Sequence, residues 1–183
     1  MLKITIPACG EQYDAVNNIF LPGTKEQTIT IEHSLVSISK WEAKWHKPYL
    51  TKDEKTTEEI IDYVRCMTLT QNVDPNVYGN LRFAPELLEE ISNYINQSMT
   101  ATTFSNRKQN ISREIITSEL IYYWMIYYGI PFECQKWHLN RLLTLINVCN
   151  VKNAPQKKMS RQELLANNRA LNAARRKRLN TKG

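Results

Sequence analysis

Polar and apolar residues alternate with a period of two at Leu2-Lys3-Ile4-Thr5-Ile6 and again at Gln27-Thr28-Ile29-Thr30-Ile31-Glu32. That period sends successive side chains to opposite faces, so both stretches predict strands. Leu21-Pro22-Gly23-Thr24 supplies turn chemistry between them. The expectation is a small N-terminal β-ribbon over residues 1–33. Two or three short strands are not stable alone, so the ribbon must lie against the helices that follow.

From Ser34 the period becomes helical. Leu35, Ile38, Trp41 and Trp45 fall on one stripe, and Pro48 stops it. Thr56-Thr57-Glu58-Glu59 is a capping box, opening a helix with Ile60, Ile61, Val64 and Met67 inside. Asp74-Pro75 begins a turn or a single helical turn. Pro85 suits a first helical position, and Leu87, Leu88, Ile91, Tyr94 and Ile95 form the next stripe. Residues 98–112 are polar and irregular, a loop of the length at which loops are often functional.

The most apolar stretch predicts two helices. Ser112 caps the first, which runs to Tyr128 and ends at Gly129 and Pro131. The second covers residues 131–151 and buries Phe132, Leu139, Leu142, Leu143, Ile146 and Cys149. Together they are expected as an antiparallel helical hairpin at the centre of the core. Asn153-Ala154-Pro155-Gln156-Lys157-Lys158 reads as a hinge. Ser160-Arg161-Gln162-Glu163 then caps a helix to about Leu179. Its Leu164, Leu165, Leu171 and Leu179 form no continuous stripe, so it is expected to project, fray or fold against a partner. The chain therefore reads as mainly α: a helical bundle with a central helical hairpin, an N-terminal β-ribbon (1–33), a helical body (34–152), and a hinge with a basic C-terminal helix or tail (153–183).

Composition sharpens this picture at its two ends. Over 183 residues, 42% hydrophobic and 23% charged content allows a real core and argues against wholesale disorder. Five glycines exclude a glycine-built phosphate loop. The net charge of +6 belongs to the tail, where Lys157, Lys158, Arg161, Arg169, Arg175, Arg176, Lys177, Arg178 and Lys182 face the single acid Glu163, so the rest is slightly acidic. Cys9, Cys66, Cys134 and Cys149 show no CxxC spacing, and the N-terminus reads as a strand and not a secretory signal, so free thiols in a reducing compartment are expected. Residues 115–132 are interrupted by Thr117, Ser118, Glu119 and Gly129 and read as a buried helix, with no membrane partner.

Candidate chemistry is thin. Cys134 and His138 are spaced i, i+4 on one expected helix, but zinc needs three or four ligands, and His33 and His46 fall on other elements. Cys9 has no nameable base beside it. Glu58, Glu59 and Asp62 suit the positive end of a helix dipole, and Glu86, Glu89 and Glu90 a solvated face. Trp41, Trp45, Trp124 and Trp137 could stack on bases, but their helical spacing favours the core, with Trp45 nearest the surface. No catalytic residue, metal or cofactor is expected. The candidate partner-binding residues are Trp41, Trp45, Arg169, Arg175, Arg176, Lys177 and Arg178. The run Arg175-Arg176-Lys177-Arg178 resembles a nucleic-acid arm. Without interleaved aromatics, a solubilising tail or a helix docking on an acidic protein surface is the preferred reading.

The stretch from Ile31 to Pro48 (Ile-Glu-His-Ser-Leu-Val-Ser-Ile-Ser-Lys-Trp-Glu-Ala-Lys-Trp-His-Lys-Pro) resembles part of a tail assembly chaperone family of long-tailed bacteriophages. So do Tyr63-Val64-Arg65-Cys66-Met67-Thr68, Pro75 with Tyr78, and Met99-Thr100-Ala101-Thr102. The likeness continues through Arg113-Glu114-Ile115-Ile116, Glu119 to Met125, Trp137 to Leu143, and the basic close from Asn168 to Arg176. It covers most of residues 30–180. The resemblance implies a protein of the host bacterial cytoplasm that coats the helical tape-measure protein while tail-tube subunits polymerise, and that carries no catalytic residues. The partners it implies are the tape-measure protein and, secondarily, the tail-tube protein, with a homo-oligomer left open. The alternatives are a permanent virion component, such as a head-tail connector or tail completion protein, and a nucleic-acid-binding accessory protein acting through its tail.

Overall fold

In a computed structural model that describes residues 1–14, 18–21, 23–104, 115–153 and 161–179, β1 (Leu2–Ile6) pairs antiparallel with β4 (Gln27–Ile31). Leu2 lies opposite Ile31, Ile4 opposite Ile29, and Ile6 opposite Gln27. The alternation works as its period demands: Ile4, Ile6, Ile29 and Ile31 are buried, while Thr5 and Thr28 join hydroxyls at 2.9 Å on the other face. A feature absent from the sequence pattern interrupts the expected turn. β2 (Gln12–Asp14) and β3 (Ile19–Leu21) form a second antiparallel ribbon, with Tyr13 opposite Phe20 and their rings 5.0 Å apart. Cys9 and Thr24 exchange two backbone hydrogen bonds, of 3.0 and 2.8 Å, at its base. Gly23 fits closely there: a Cβ would sit 3.3 Å from both the Cys9 carbonyl oxygen and the Glu11 nitrogen, tight enough that the neighbouring backbone would have to give by a few tenths of an ångström.

Ser34 caps α1 (Leu35–Trp45) by accepting from the Ser37 N–H, and the helix stops at His46 in the left-handed region (φ 53°), two residues before Pro48. The predicted capping box opens α2 (Thr57–Met67): the Thr56 hydroxyl accepts from Glu59 N at 3.3 Å, and the Glu59 carboxylate accepts from Thr56 N at 2.8 Å. After α2 the chain covers the free edge of β4, with Glu32 N donating to Met67 O at 2.9 Å and Leu69 N donating to Thr30 O at 2.8 Å. A 3-10 run, Pro75–Phe83, buries Val77, Tyr78 and Leu81, and leads into α3 (Pro85–Asn96), whose Ile91 and Tyr94 face the core.

The apolar region departs from expectation. α4 (Ser118–Tyr127) is capped by Thr117; the expected cap Ser112 lies outside the described residues. Gly129 adopts φ 63° and terminates it as predicted. The single helix expected over 131–151 is divided into a 3-10 turn, Phe132–Lys136, and α5 (Leu139–Asn153). The cause is tertiary. His138 forms a β-bridge with Ser34, and Leu139 N donates to His33 O at 2.7 Å, so the chain is extended at Trp137 where a helix would have continued. Phe132, expected inside, is 52% exposed. The centre of the core is accordingly α1, which packs on α2, on α4 and on the 3-10 turn, in place of a hairpin of α4 with α5.

The fold class is mainly α with a small β-ribbon. Contacts divide the chain into two compact units, Met1–Cys149 and Asn150–Gly183. In the second, α6 (Arg161–Leu179) is a helix of 19 residues whose described side chains are all exposed. The expected hinge at 154–158 and cap at Ser160 lie outside the described residues, as does most of the loop predicted over 98–112. No helix among the described residues is long and apolar enough to cross a membrane.

Candidate partner-binding surfaces

Trp41, put forward as a partner-binding residue, is 1% exposed, and its indole N–H donates to the Glu59 carbonyl at 2.9 Å. It is a core residue of the α1–α2 contact, which corrects that assignment. Its place on the stripe with Leu35 and Ile38 turns it inward. Trp45, one turn later, is half-buried and stacks on Trp41 with centroids 6.1 Å apart. Its indole donates to Asp62 at 2.9 Å, and the Lys44 ammonium meets the other oxygen of that carboxylate at 2.5 Å. Trp137 is half-buried beneath the Arg141 guanidinium, 4.2 Å from the ring centroid.

One group of titratable side chains brought together by folding was not visible in the spacing. His33 and His138 meet edge to face, 5.1 Å apart, with Tyr63, Tyr49 and Tyr94 around them. His33 Nδ1 shares a 2.5 Å hydrogen bond with the Tyr63 hydroxyl, and His138 Nε2 lies 3.2 Å from the Tyr94 carbonyl. The Tyr94 hydroxyl donates to Glu32 at 2.7 Å. Burial holds the His33 imidazole down at about 3, with the neighbouring His138 acting in the same direction. Burial also lowers His138, against the Tyr94 carbonyl, which favours its charged form. Burial and the bond to Glu32 raise the Tyr94 hydroxyl.

A neutral imidazole is a competent base, but a base must reach a substrate proton. His33 is 2% exposed and His138 6%, and His33 Nδ1 and both ring nitrogens of His138 are engaged by protein groups. Neither lines the open cleft of about 320 Å³ beside Glu42, His46, Lys47 and Glu119, nor that of about 460 Å³ beside Thr5, Phe83 and Leu87. The cluster is a polar clasp joining the ribbon, α2, α3 and the start of α5. The Cys134–His138 pair is not presented on a shared helix face, because the helix breaks at Trp137. Among the described residues no three His, Cys, Asp or Glu side chains gather as metal ligands would, and no cysteine forms a disulfide.

Among the described residues, two surfaces stand out as open to other molecules. The outer face of α4 presents Tyr123, Ile126 and Tyr127 at 58%, 64% and 69% exposure, with the two tyrosine rings stacked 6.2 Å apart. Ile121 and Met125, on the opposite face, are fully buried. Because α4 is apolar all round, its pattern read as a buried helix; among the described residues, one side faces the core and the other is exposed. The second surface is α6, where Arg169, Arg175, Arg176, Lys177 and Arg178 are all exposed.

No family model, curated protein or solved structure matches this chain. Its surfaces must speak by their own chemistry. α4 offers a flat, uncharged aromatic ridge, suited to another apolar helix. α6 offers dense positive charge on a helix with no buried side chain among those described.

Proposed function

We propose that this chain is a bacteriophage tail assembly chaperone, a protein without catalytic chemistry that holds the tape-measure protein in solution while tail-tube subunits assemble. The likeness across residues 30–180 suggests the family. The observation that carries the binding step is the outer face of α4.

Tyr123, Ile126 and Tyr127 recur at three- and four-residue spacing, so they make a ridge along the helix axis that can pack beside a second helix. A tape-measure helix with an apolar stripe is the occupant that fits, since such a stripe aggregates if left bare. Covering these three side chains would remove about 300 Å² of apolar surface from water, worth about 7 kcal/mol. Association itself costs about 4–15 kcal/mol. One such face therefore gives a weak, reversible hold, as a protein displaced by arriving tube subunits requires.

The test is recovery of the tape-measure protein with this chain from infected cells. Tyr123→Asp combined with Tyr127→Asp should abolish it while leaving the circular dichroism unchanged. Undiminished recovery with that double variant sinks the reading. So does stoichiometric presence of the chain in purified particles, which would favour a connector or tail completion protein.

A further inference from the structure

The C-terminal turn of α6 has a geometry that its composition alone does not convey. Arg175, Arg176, Lys177 and Arg178 are consecutive, helical and exposed. Successive residues of an α-helix are separated by about 100° around the axis. Four in a row therefore occupy all four quarters of the circumference, and no side of this turn is uncharged. Cations in a last turn do complement the helix dipole, but that needs one or two, on any side.

An acidic protein surface lies on one side of a docked helix and would engage two of these four residues. A partner that charges all four must flank the helix on both sides. The major groove of B-form DNA is about 12 Å wide, admits an α-helix and is walled by phosphates on either side. The residues that precede the basic turn suit such a seat. Ala170, Ala173 and Ala174 keep the helix slim. Asn168 and Asn172, spaced i and i+4, lie on one side and carry amides that can pair with base edges. Arg169 adds a further cation about 9 Å back along the axis.

We infer that α6 is a DNA-binding element that lies in the major groove of a duplex, with Arg175, Arg176, Lys177 and Arg178 reaching phosphates on both walls. This goes beyond the assembly reading and does not depend on it, because the surface concerned is α6 and not α4.

Binding of the full chain to a fluorescent B-form DNA duplex, followed by anisotropy between 50 and 200 mM salt, tests it. Four phosphate contacts give a slope of log affinity against log salt of about −3.6, or about a 150-fold loss of affinity over that range. Each single variant, Arg175→Gln, Arg176→Gln, Lys177→Gln and Arg178→Gln, should reduce the slope by about one. All four side chains are exposed, so the variants leave the fold intact. An A-form RNA duplex of the same sequence, whose major groove is too narrow for side chains to read, should bind more weakly. Three results would overturn the inference: no DNA binding at 50 mM salt, an effect confined to two of the four positions, or RNA and DNA duplexes bound alike. Displacement of DNA by polyglutamate at equal charge would do the same, and would mark α6 as a site for acidic protein.

Discussion

Acidification should loosen the histidine clasp by a predictable amount. His33 is neutral in the folded chain, with its pKa held at about 3 by burial, whereas an unfolded histidine titrates near 6.5. The unfolded chain therefore gains a proton first as pH falls. Stability is complete above about pH 6.5 and is lost as pH falls toward 3. With these two values, linkage gives a loss of about 2 kcal/mol at pH 5 and about 3 kcal/mol at pH 4 from His33 alone. His33 is only 2% exposed, so solvent does little to screen the effect. His138, lowered by the same cause, adds in the same direction. Among the groups facing the pair, Tyr63 and Tyr49 are held in their neutral form by burial, while the Glu32 carboxylate favours a charged His138 and the Met1 ammonium beside it opposes that, so the net lowering of His138 is smaller than burial alone would give. Urea denaturation followed by tryptophan fluorescence at pH 7, 5 and 4 measures the loss. In His33→Gln, where an amide can keep the bond to Tyr63 but cannot titrate, the decline from pH 7 to 5 should shrink by about 2 kcal/mol. Parallel decline of parent and variant would refute the reasoning.

Thr56→Ala removes one half of the α2 capping box and should cost about 1 kcal/mol, read as a shift in urea midpoint with an unchanged slope. Trp41→Phe keeps an aromatic ring but loses the indole bond to the Glu59 carbonyl, which retains its bond within α2, and should cost about 1 kcal/mol in the same assay, against no effect on tape-measure recovery. Gly129→Ala forces a β-carbon into φ 63° and should cost about 1 kcal/mol by thermal melting, although space around that position is open.

The parts of the fold that were legible in the sequence are those set by local periodicity. The strands at Leu2–Ile6 and Gln27–Ile31, the Thr56 capping box and the stop at Gly129 each depend on a few neighbouring residues. What escaped depends on residues far apart. The break at Trp137 comes from a bridge to Ser34, and the His33–His138 contact joins side chains that no spacing rule connects. The α4 ridge escaped for a different reason. A helix apolar on every side gives no phase, so the sequence cannot say which side the core will take. Trp41 went the other way: a residue offered for binding proved to be spent on packing, since its stripe was the very signal of burial.

The bridge between Ser34 and His138 also sets a timetable. The β-ribbon and its edge can be made early, but the strap that holds His33 against Leu139 cannot close until the later residue has left the ribosome. At roughly 5–20 residues per second, the intervening hundred or so residues take about 5–20 s to appear. Through that interval α2, α3 and α4 are made in turn, but the part of the core that Leu139, Leu142 and Ile146 complete stays open, and the nascent chain is itself in need of protection. Chains truncated before His138 should therefore aggregate, while those ending beyond α5 should not.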